Sequence, residues 1–256
     1  MSKVCEMFGL RSKKILDAPT NTYMGVECEI ESVSNKEDFE PRDFKVTTDN
    51  SLRNNGVEYI SNVLTPTRLL ESFKRLHDEL EFFDEDEAFS SRTSTHIHLN
   101  CRHMTDLQCK QMLLLYALFE KYFFLMVDSS RENNIHCVPL NQTYLNTQYR
   151  SSFDTIVYRW HKYTAFNLLP LKTQGSIEFR HLHGTKDANL LARWLSCIEN
   201  LQQLAMEEPL DSCSISDRET IDRWLTRIFM ASPQLLALDM DSLIADELLD
   251  IKLAFI

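Results

Sequence analysis

The segment Gly25–Glu31 reads Gly-Val-Glu-Cys-Glu-Ile-Glu and, after its first glycine, alternates strictly between apolar and acidic residues. Alternation with a period of two predicts a β-strand. Because side chains two apart share a face of a strand, we expect the apolar residues to face a core and the carboxylates to line the opposite face. The carboxylates are those of Glu27, Glu29 and Glu31. Like charges in a row repel one another, so this face is either solvated or covered by cations.

Two further segments place polar side chains at the same spacing. One contains His96 and His98 and the other contains Glu178 and Arg180, in each case with one apolar residue between them. Glu58 adds a carboxylate to a third, otherwise apolar alternating segment. The shared pattern predicts that these side chains converge on one face of a sheet.

The region 45–61 predicts a β-hairpin, since it contains an Asn-Gly step that favours a tight turn between two alternating segments. We expect this hairpin to bring Asp49 and Glu58 to the same end of the sheet. Asp49 opens an Asp-Asn-Ser segment, which is also typical of a turn-forming aspartate without a ligand role. A second hairpin is predicted from strands at 163–169 and 175–182.

Apolar residues at helical spacing predict several helices around these strands. The longest continuous apolar segment predicts a buried helix that ends at Val127. Each predicted helix follows a capping signal in the sequence. The signals are Thr65–Pro66, Thr105, Asp187, Ser216 in a Ser-x-x-Glu capping box with Glu219, and Ser232–Pro233 at the start of a last acidic helical region.

The composition restricts the class of protein. With 256 residues and 43% hydrophobic content, the chain is expected to form one large domain with a substantial core. Its formal charge of -11 argues against a nucleic-acid or anionic-membrane partner. Seven cysteines without a Cys-x-x-Cys pair fit free thiols in a reducing compartment, so a cytoplasmic location is expected. No signal peptide is recognised, and the most apolar segment, 112–127, is too short to span a bilayer.

The residue types on the predicted face indicate metal and phosphate chemistry. Carboxylates are preferred ligands of Mg²⁺ and Mn²⁺, and several of them together imply more than one ion. Arg180 beside Glu178 would add a planar clamp for phosphate oxygens. Neither a dinucleotide-binding glycine motif nor a P-loop is present, so a nucleotide site must be of another kind.

Two other classes of protein fit part of the pattern. A zinc-dependent hydrolase could use His96, His98 and one carboxylate as three ligands, because imidazole suits zinc better than magnesium. That interpretation leaves the other acids and Arg180 unexplained. A non-catalytic binding protein would carry the same strands as solvated faces, with Glu178 and Arg180 as a surface ion pair.

The ordered set of motifs resembles the amidoligase family. The motifs are Gly25-Val-Glu27-Cys-Glu29, Asp49-x-Ser51 with Glu58-x-x-Ser61, His96-x-His98, Lys162-Tyr163-x-x-x-Asn167, and Glu178-x-Arg180 with Gly184-Thr185. The family belongs to the carboxylate–amine ligases, which are related to glutamine synthetase and glutamate-cysteine ligase. The resemblance spans about residues 23–186, and the ordered set is more specific than any one motif.

This resemblance implies an α+β fold in which a curved, mainly antiparallel sheet carries the active site on one face and helices on the other. Residues 1–186 would form the catalytic core, and residues 187–256 a helical scaffold packed on the same domain. The implied reaction is ATP- and Mg²⁺-dependent amide formation through an acyl phosphate. Its substrates would be a carboxylate and an amine from small molecules, peptides or proteins.

The resemblance also implies a role for each matching residue. The metal ligands would be Glu27, Glu29, Glu58, His96 and Glu178, around two or three Mg²⁺ ions or Mn²⁺. The nucleotide contacts would be Lys162, Asn167, His98 and Arg180, with Lys162 at a position where the family more often has arginine. Arg180 would stabilise the transferring phosphoryl group, and Glu29 or Asp49 would accept the amine proton. Arg131 is the candidate for binding a substrate carboxylate.

Overall fold

The structure is a computed structural model that describes residues 1–37, 39–143 and 150–253. Within that part, strands β1 to β6 form one sheet. In chain order they are Met24–Ile30, Phe44–Thr47, Val57–Ser61, Ser94–Asn100, Phe166–Asn167 and Ser176–His183. Their order across the sheet is β2-β3-β1-β4-β6-β5, and every neighbouring pair is antiparallel. The predicted α+β fold with an antiparallel sheet is confirmed.

The described part of the chain also contains the helices α1 to α8. In order they are Val4–Met7, Lys14–Asp17, Pro66–Glu79, Asp106–Phe124, Phe153–Tyr158, Ala188–Glu207, Arg218–Phe229 and Met240–Leu253. Three of the predicted caps are confirmed in place, at Thr65, Thr105 and Asp187. None of the described helices combines the length and apolar character needed to cross a membrane.

Two predicted helix boundaries differ from the structure. α4 ends at Phe124, three residues before the predicted end. α7 is capped by Asp217, whose carboxylate accepts a hydrogen bond from the Thr220 backbone N–H, whereas Ser216 lies in a short 3-10 turn before it. Aspartate and serine are both good N-cap residues, so the two neighbouring positions compete and local geometry decides between them.

The helices cover one face of the sheet and form the core with it. The apolar residues of β1, namely Val26, Cys28 and Ile30, are at most 1% exposed, as the alternation predicted. On β6, Phe179 packs edge-on against Tyr116 of α4. Full burial of one such apolar side chain is worth about 1.5–3 kcal/mol, so this face holds the sheet in place.

The predicted strand at 163–169 is much shorter in the structure. Only β5, Phe166–Asn167, pairs with β6, and the chain then forms a 3-10 turn at Leu169–Lys172. Pro170 lies in that turn. Proline has no backbone N–H to donate to a ladder, which stops the strand after Asn167.

The register of the sheet decides which polar side chains meet on the other face. The opposite pairs are Glu29 with Glu58, Glu27 with His96, His98 with Glu178, and Asn167 with Glu178. Directly opposite residues of an antiparallel pair point to the same face and lie close together. The sheet therefore gathers polar residues from strands β1, β3, β4, β5 and β6 on a single face.

A β-bulge interrupts the pairing of β4 with β6 beside this face. Between the pairs Ile97–Phe179 and Thr95–Leu182, β4 has one residue and β6 has two, Arg180 and His181. Bulges bend a strand locally and often occur next to active sites. Arg180 therefore lies where β6 departs from regular pairing.

The third carboxylate of the first segment does not join the row that the alternation predicted. Glu31 lies just after β1 and is fully buried. Its oxygens accept hydrogen bonds from Arg92 Nε and Nη2, at 3.1 and 2.9 Å, and from the Arg53 backbone N–H at 2.6 Å. Ser32 follows with a positive φ of 59°, so the extended conformation ends here and the period-two pattern ends with it.

Candidate active site

Two adjoining cavities lie on the polar face of the sheet. We name the first the acidic lobe, about 530 Å³ in volume, whose walls include Glu27, Glu58, His96, His98 and Glu178. The second, the arginine lobe, is about 630 Å³ and is lined by Arg92 and Arg131 among others. Both lobes share Glu29, Asp49, Lys162 and Arg180 as lining residues. These four residues therefore lie where the lobes meet.

The first candidate metal cluster of the acidic lobe consists of Glu27, His98 and Glu178, which each offer one ligand atom within 4.8 Å of the others. His98 Nε2 lies 3.2 Å from Glu27 Oε1, yet it is buried and forms no hydrogen bond within the described residues. This ring nitrogen is at ion-pair distance from a carboxylate and has no well-aligned hydrogen bond, so it is a suitable ligand for a cation.

His96 lies beside this cluster. Its Nδ1 is 3.3 Å from Glu178 Oε1 and 3.6 Å from Glu27 Oε2. Its Nε2 lies 2.7 Å from Ser94 Oγ. The structure therefore brings His96, Glu27 and Glu178 together. His98, rather than His96, belongs to the candidate metal cluster, and the assignment of His96 as a metal ligand stays a prediction.

The second candidate metal cluster consists of Glu29, Asp49 and Glu58, again with ligand atoms within 4.8 Å of one another. Ser94 Oγ donates to Glu29 at 2.6 Å, and Thr47 Oγ1 donates to Glu58 at 2.7 Å. Within the described residues, no lysine, arginine or histidine nitrogen lies within salt-bridge distance of these three carboxylates. Three acids without a countercharge repel one another unless a cation joins them.

Asp49 forms the turn contact that its sequence suggested and also lies in the second candidate cluster. Its Oδ1 accepts a hydrogen bond from the Ser51 backbone N–H at 2.7 Å, which is the turn-forming contact. It is at the same time the Asp of the second cluster. The hairpin β2–β3 does bring Asp49 and Glu58 together, as we predicted from the region 45–61.

The two clusters differ in how the protein treats their charge. Burial raises the pKa of Glu27, but the neighbouring imidazoles of His96 and His98 outweigh it and hold that pKa well below its ordinary value. At Glu178, burial likewise raises the pKa, and the charges of His96 and Arg180 reverse the effect. Imidazole and guanidinium groups of the protein thus favour the carboxylate form in the first cluster.

Glu58 behaves in the opposite way. Burial raises its pKa, and the charges of Glu27 and Glu29 raise it further, so that the Thr47 hydrogen bond does not compensate. The protein alone disfavours the carboxylate form at this position. A divalent cation in the second cluster would remove that penalty.

Asn167 and Arg180 fix the position of Glu178. Asn167 Nδ2 donates to Glu178 Oε2 at 2.7 Å, while its Oδ1 accepts from the Leu169 backbone N–H at 3.0 Å. Arg180 Nη1 bonds to Glu178 Oε1, and its Nε donates to the His136 carbonyl at 3.0 Å. Asn167 therefore holds a candidate ligand through its amide nitrogen, and its amide oxygen is bound by the Leu169 backbone; its predicted contact with the nucleotide stays a prediction.

Arg131 is almost fully buried, at 3% exposure, and lines the arginine lobe. Its Nε donates to the His181 carbonyl at 3.0 Å and its Nη2 to the Arg180 carbonyl at 2.7 Å, across the bulge of β6. No carboxylate of the described chain lies within salt-bridge distance of its guanidinium group. Two of its nitrogens are thus used by the backbone, and its charge remains unpaired.

Lys162 lines both lobes, next to Tyr163. Its Nζ lies 5.4 Å from the centre of the Tyr163 ring, which is within range of a cation–π contact. The predicted contact of Lys162 with a nucleotide stays a prediction.

Sequence reasoning missed two residues of the site. Ser94 bridges Glu29 and His96 through one hydroxyl group, and its position two before His96 continues the same alternation, so the pattern could have revealed it. Arg92 lines the arginine lobe from the loop before β4. It had no signal of its own, because its partner is sixty-one positions earlier in the chain.

Comparison with known proteins adds one finding. A family model described as "Putative amidoligase enzyme" matches residues 5–202, which takes in the whole sheet and most of α6. No curated protein matches the chain. The matched region covers more than half of the sequence and contains both clusters, and the chain therefore belongs to the amidoligase enzyme family.

Proposed function

We propose that this protein is an ATP- and Mg²⁺-dependent ligase that joins a carboxylate to an amine through an acyl phosphate. The observation that carries the proposal is the pairing of two carboxylate clusters in one lobe, with Arg180 at the border of a second, arginine-lined lobe. Membership of the amidoligase family supports a ligase. The nucleotide, the metal and the intermediate are our inference.

The donor atoms fit divalent magnesium or manganese. The second cluster, Glu29, Asp49 and Glu58, offers only carboxylate oxygens, which are the ligands that hard cations prefer. The first cluster adds His98 to Glu27 and Glu178, a set that manganese accepts readily. Ions bound at both clusters would neutralise the charge that a triphosphate and a substrate carboxylate bring together.

The two lobes suit two different ligands. Their volumes, about 530 and 630 Å³, lie in the usual range of ligand pockets. We place the triphosphate in the acidic lobe, where Lys162 and Lys172 also line the wall. We place the acid substrate in the arginine lobe, because the buried and unpaired charge of Arg131 calls for an anion.

The reaction follows from this placement. A carboxylate oxygen attacks the γ-phosphorus of ATP, the bond to ADP breaks, and an acyl phosphate forms. The amine nitrogen then attacks the carbonyl carbon, phosphate leaves, and the amine loses one proton. Arg180 stabilises the charge of the transferring group. Glu29 or Asp49, both at the border of the lobes, accepts the proton.

Glu27, His98 and Glu178 would also suffice as the three protein ligands of a zinc hydrolase. Such an enzyme has no use for the second cluster, so the ligase explains more of the site. The ligase would bind Mg²⁺ and ATP, whereas the hydrolase would bind zinc and no nucleotide. One experiment separates the two functions.

The experiment measures ATP binding by calorimetry with and without Mg²⁺, followed by phosphate release with mixed carboxylic acids, amino acids and amines. We expect Mg²⁺-dependent ATP binding, phosphate release, and a product lighter by one water than its two substrates. Glu178→Ala should abolish release. Glu71→Ala, which removes an exposed carboxylate of α3, is the matched control and should leave release unchanged.

Other results would contradict the proposal. Tight stoichiometric zinc without ATP binding would support a hydrolase. Binding of neither metal nor ATP would indicate a non-catalytic protein. Undiminished release in Glu178→Ala would show that the site has been assigned to the wrong residues.

A further inference from the structure

We propose that Arg92, oriented by Glu31, binds a second carboxylate of the acid substrate, so that the enzyme acts on dicarboxylic acids. The inference rests on the proposed function and adds to it a substrate class and two residues. It starts from Glu31, the acidic residue of the first segment that the metal clusters do not use.

Glu31 is fully buried, and both of its oxygens are engaged by Arg92 in a fork-like pair. The Arg53 backbone N–H gives it a further hydrogen bond. The closest contact of this ion pair, from Arg92 Nη2 to Glu31 Oε2, is 2.9 Å. A buried, charged and bidentate partner holds the plane of a guanidinium group in one orientation.

The same pair leaves one edge of Arg92 unused. A guanidinium group carries five N–H donors, and Glu31 engages those of Nε and Nη2. Within the described residues, Nη1 has no hydrogen-bond partner, and the side chain is 36% exposed. Arg92 lines the arginine lobe and does not line the acidic lobe. The free edge is therefore available to a ligand of the arginine lobe.

The arginine lobe has more guanidinium groups than one reacting carboxylate requires. Arg180 also lines the acidic lobe and contacts Glu178, which places it at the phosphoryl group. Arg131 lies beside Arg180, because its Nη2 donates a hydrogen bond to the Arg180 carbonyl, and its charge has no carboxylate partner within the described residues. Arg92 is the third guanidinium, and no step of the reaction needs it. A second carboxylate on the substrate accounts for it.

A simpler role for Arg92 is structural: its ion pair with Glu31 would only connect the loop before β4 to the end of β1. Burying the Glu31 carboxylate is a costly way to hold the loop, because its desolvation offsets part of the attraction to Arg92. A structural tie also gives no reason for Arg92 to line a cavity. The two roles predict different behaviour toward ligands, which the following test exploits.

The test measures binding of succinate, glutarate and adipate, with their α-amino derivatives, against monocarboxylates of the same chain lengths. In the wild type, at least one dicarboxylate should bind more tightly than its matched monocarboxylate. Arg92→Gln should weaken that binding by about 10–100-fold, the range for a lost charged hydrogen bond. Monocarboxylate binding and MgATP binding should stay unchanged. Arg53→Gln is the matched control, because it alters an exposed side chain and keeps the backbone N–H that binds Glu31.

Glu31→Gln tests the positioning role. It should raise the KM for the preferred dicarboxylate, with kcat for the matched monocarboxylate unchanged, since only the orientation of Arg92 is disturbed. Equal binding of both classes by the wild type, or equal loss for both classes in Arg92→Gln, would overturn the proposal. Failure of the ligase proposal shows separately, as absent Mg²⁺-dependent ATP binding in the wild type.

Discussion

Buried carboxylic acids occur on both faces of the sheet, and their partners differ. On the helical side, Glu120 of α4 accepts hydrogen bonds from the Leu140 backbone N–H and from the Tyr116 hydroxyl, each at 2.8 Å. On the polar side, Glu27 and Glu178 face imidazoles and a guanidinium group. The partners of Glu120 are neutral donors, whereas Glu178 has a guanidinium group beside it and both Glu27 and Glu178 have imidazoles, which are cationic when protonated.

Their pKa values follow these partners. Burial raises the pKa of Glu120 to about 7, because its neutral donors compensate only in part. Burial acts in the same direction on Glu27, yet the imidazoles bring its pKa far down. Burial alone therefore does not mark a functional acid. The features that distinguish the acids of the candidate site are the imidazole and guanidinium groups beside Glu27 and Glu178 and, at Glu58, the neighbouring carboxylates of Glu27 and Glu29.

Replacing Glu58 with glutamine should give the largest effect. The change removes one charged ligand from the second cluster, and we expect turnover to fall by about 1,000-fold, equivalent to about 4 kcal/mol. Glu120→Gln is the matched change on the other face and should retain most of its turnover. Steady-state phosphate release measures both. Equal losses in the two variants would show that the faces do not differ in function.

The second prediction concerns pH and Glu120. Its pKa rises from 4.5 to about 7 on folding, so the folded state binds more protons between those values and stability falls as pH increases through them. Glu120→Gln cannot ionise. Its stability relative to wild type should therefore increase by about 3 kcal/mol between pH 4 and pH 8. Urea unfolding at several pH values measures this difference, and parallel pH curves would show that Glu120 ionises normally.

The smallest effect is expected for metal-free stability. Glu58 lies directly opposite Glu29 in the sheet, and like charges at such positions destabilise a strand pair. Without divalent ions, Glu58→Gln should stabilise the fold by a few tenths of a kcal/mol to about 1 kcal/mol. Urea unfolding in chelator measures the effect, with Glu71→Gln as the control. A loss of stability would make Glu58 a structural residue, like Glu120.

The alternation of apolar and polar residues was sufficient to predict the polar face of the sheet. It indicated which residues of β1 are buried and which side chains meet on the polar face. Pairing across the sheet depends on register, which is set by contacts distant in sequence. Alternation therefore could not show that His98 lies opposite Glu178, or that β6 contains a bulge at Arg180.

Local conformation explains the other differences. Glu31 continues the pattern in sequence, but the chain turns at Ser32 and directs that carboxylate to Arg92. The residue type of Glu31 was informative, but its partner could not be predicted, because Arg92 lies sixty-one positions later in the chain.

The two border strands of the sheet have a consequence for self-association. β5 pairs over two residues and is followed by a proline-containing turn, so it offers almost no free ladder to another chain. β2 is four residues long, and an exposed lysine, Lys45, lies on it. Short strands and lysine both discourage strand addition. We therefore expect the chain to resist edge-to-edge aggregation.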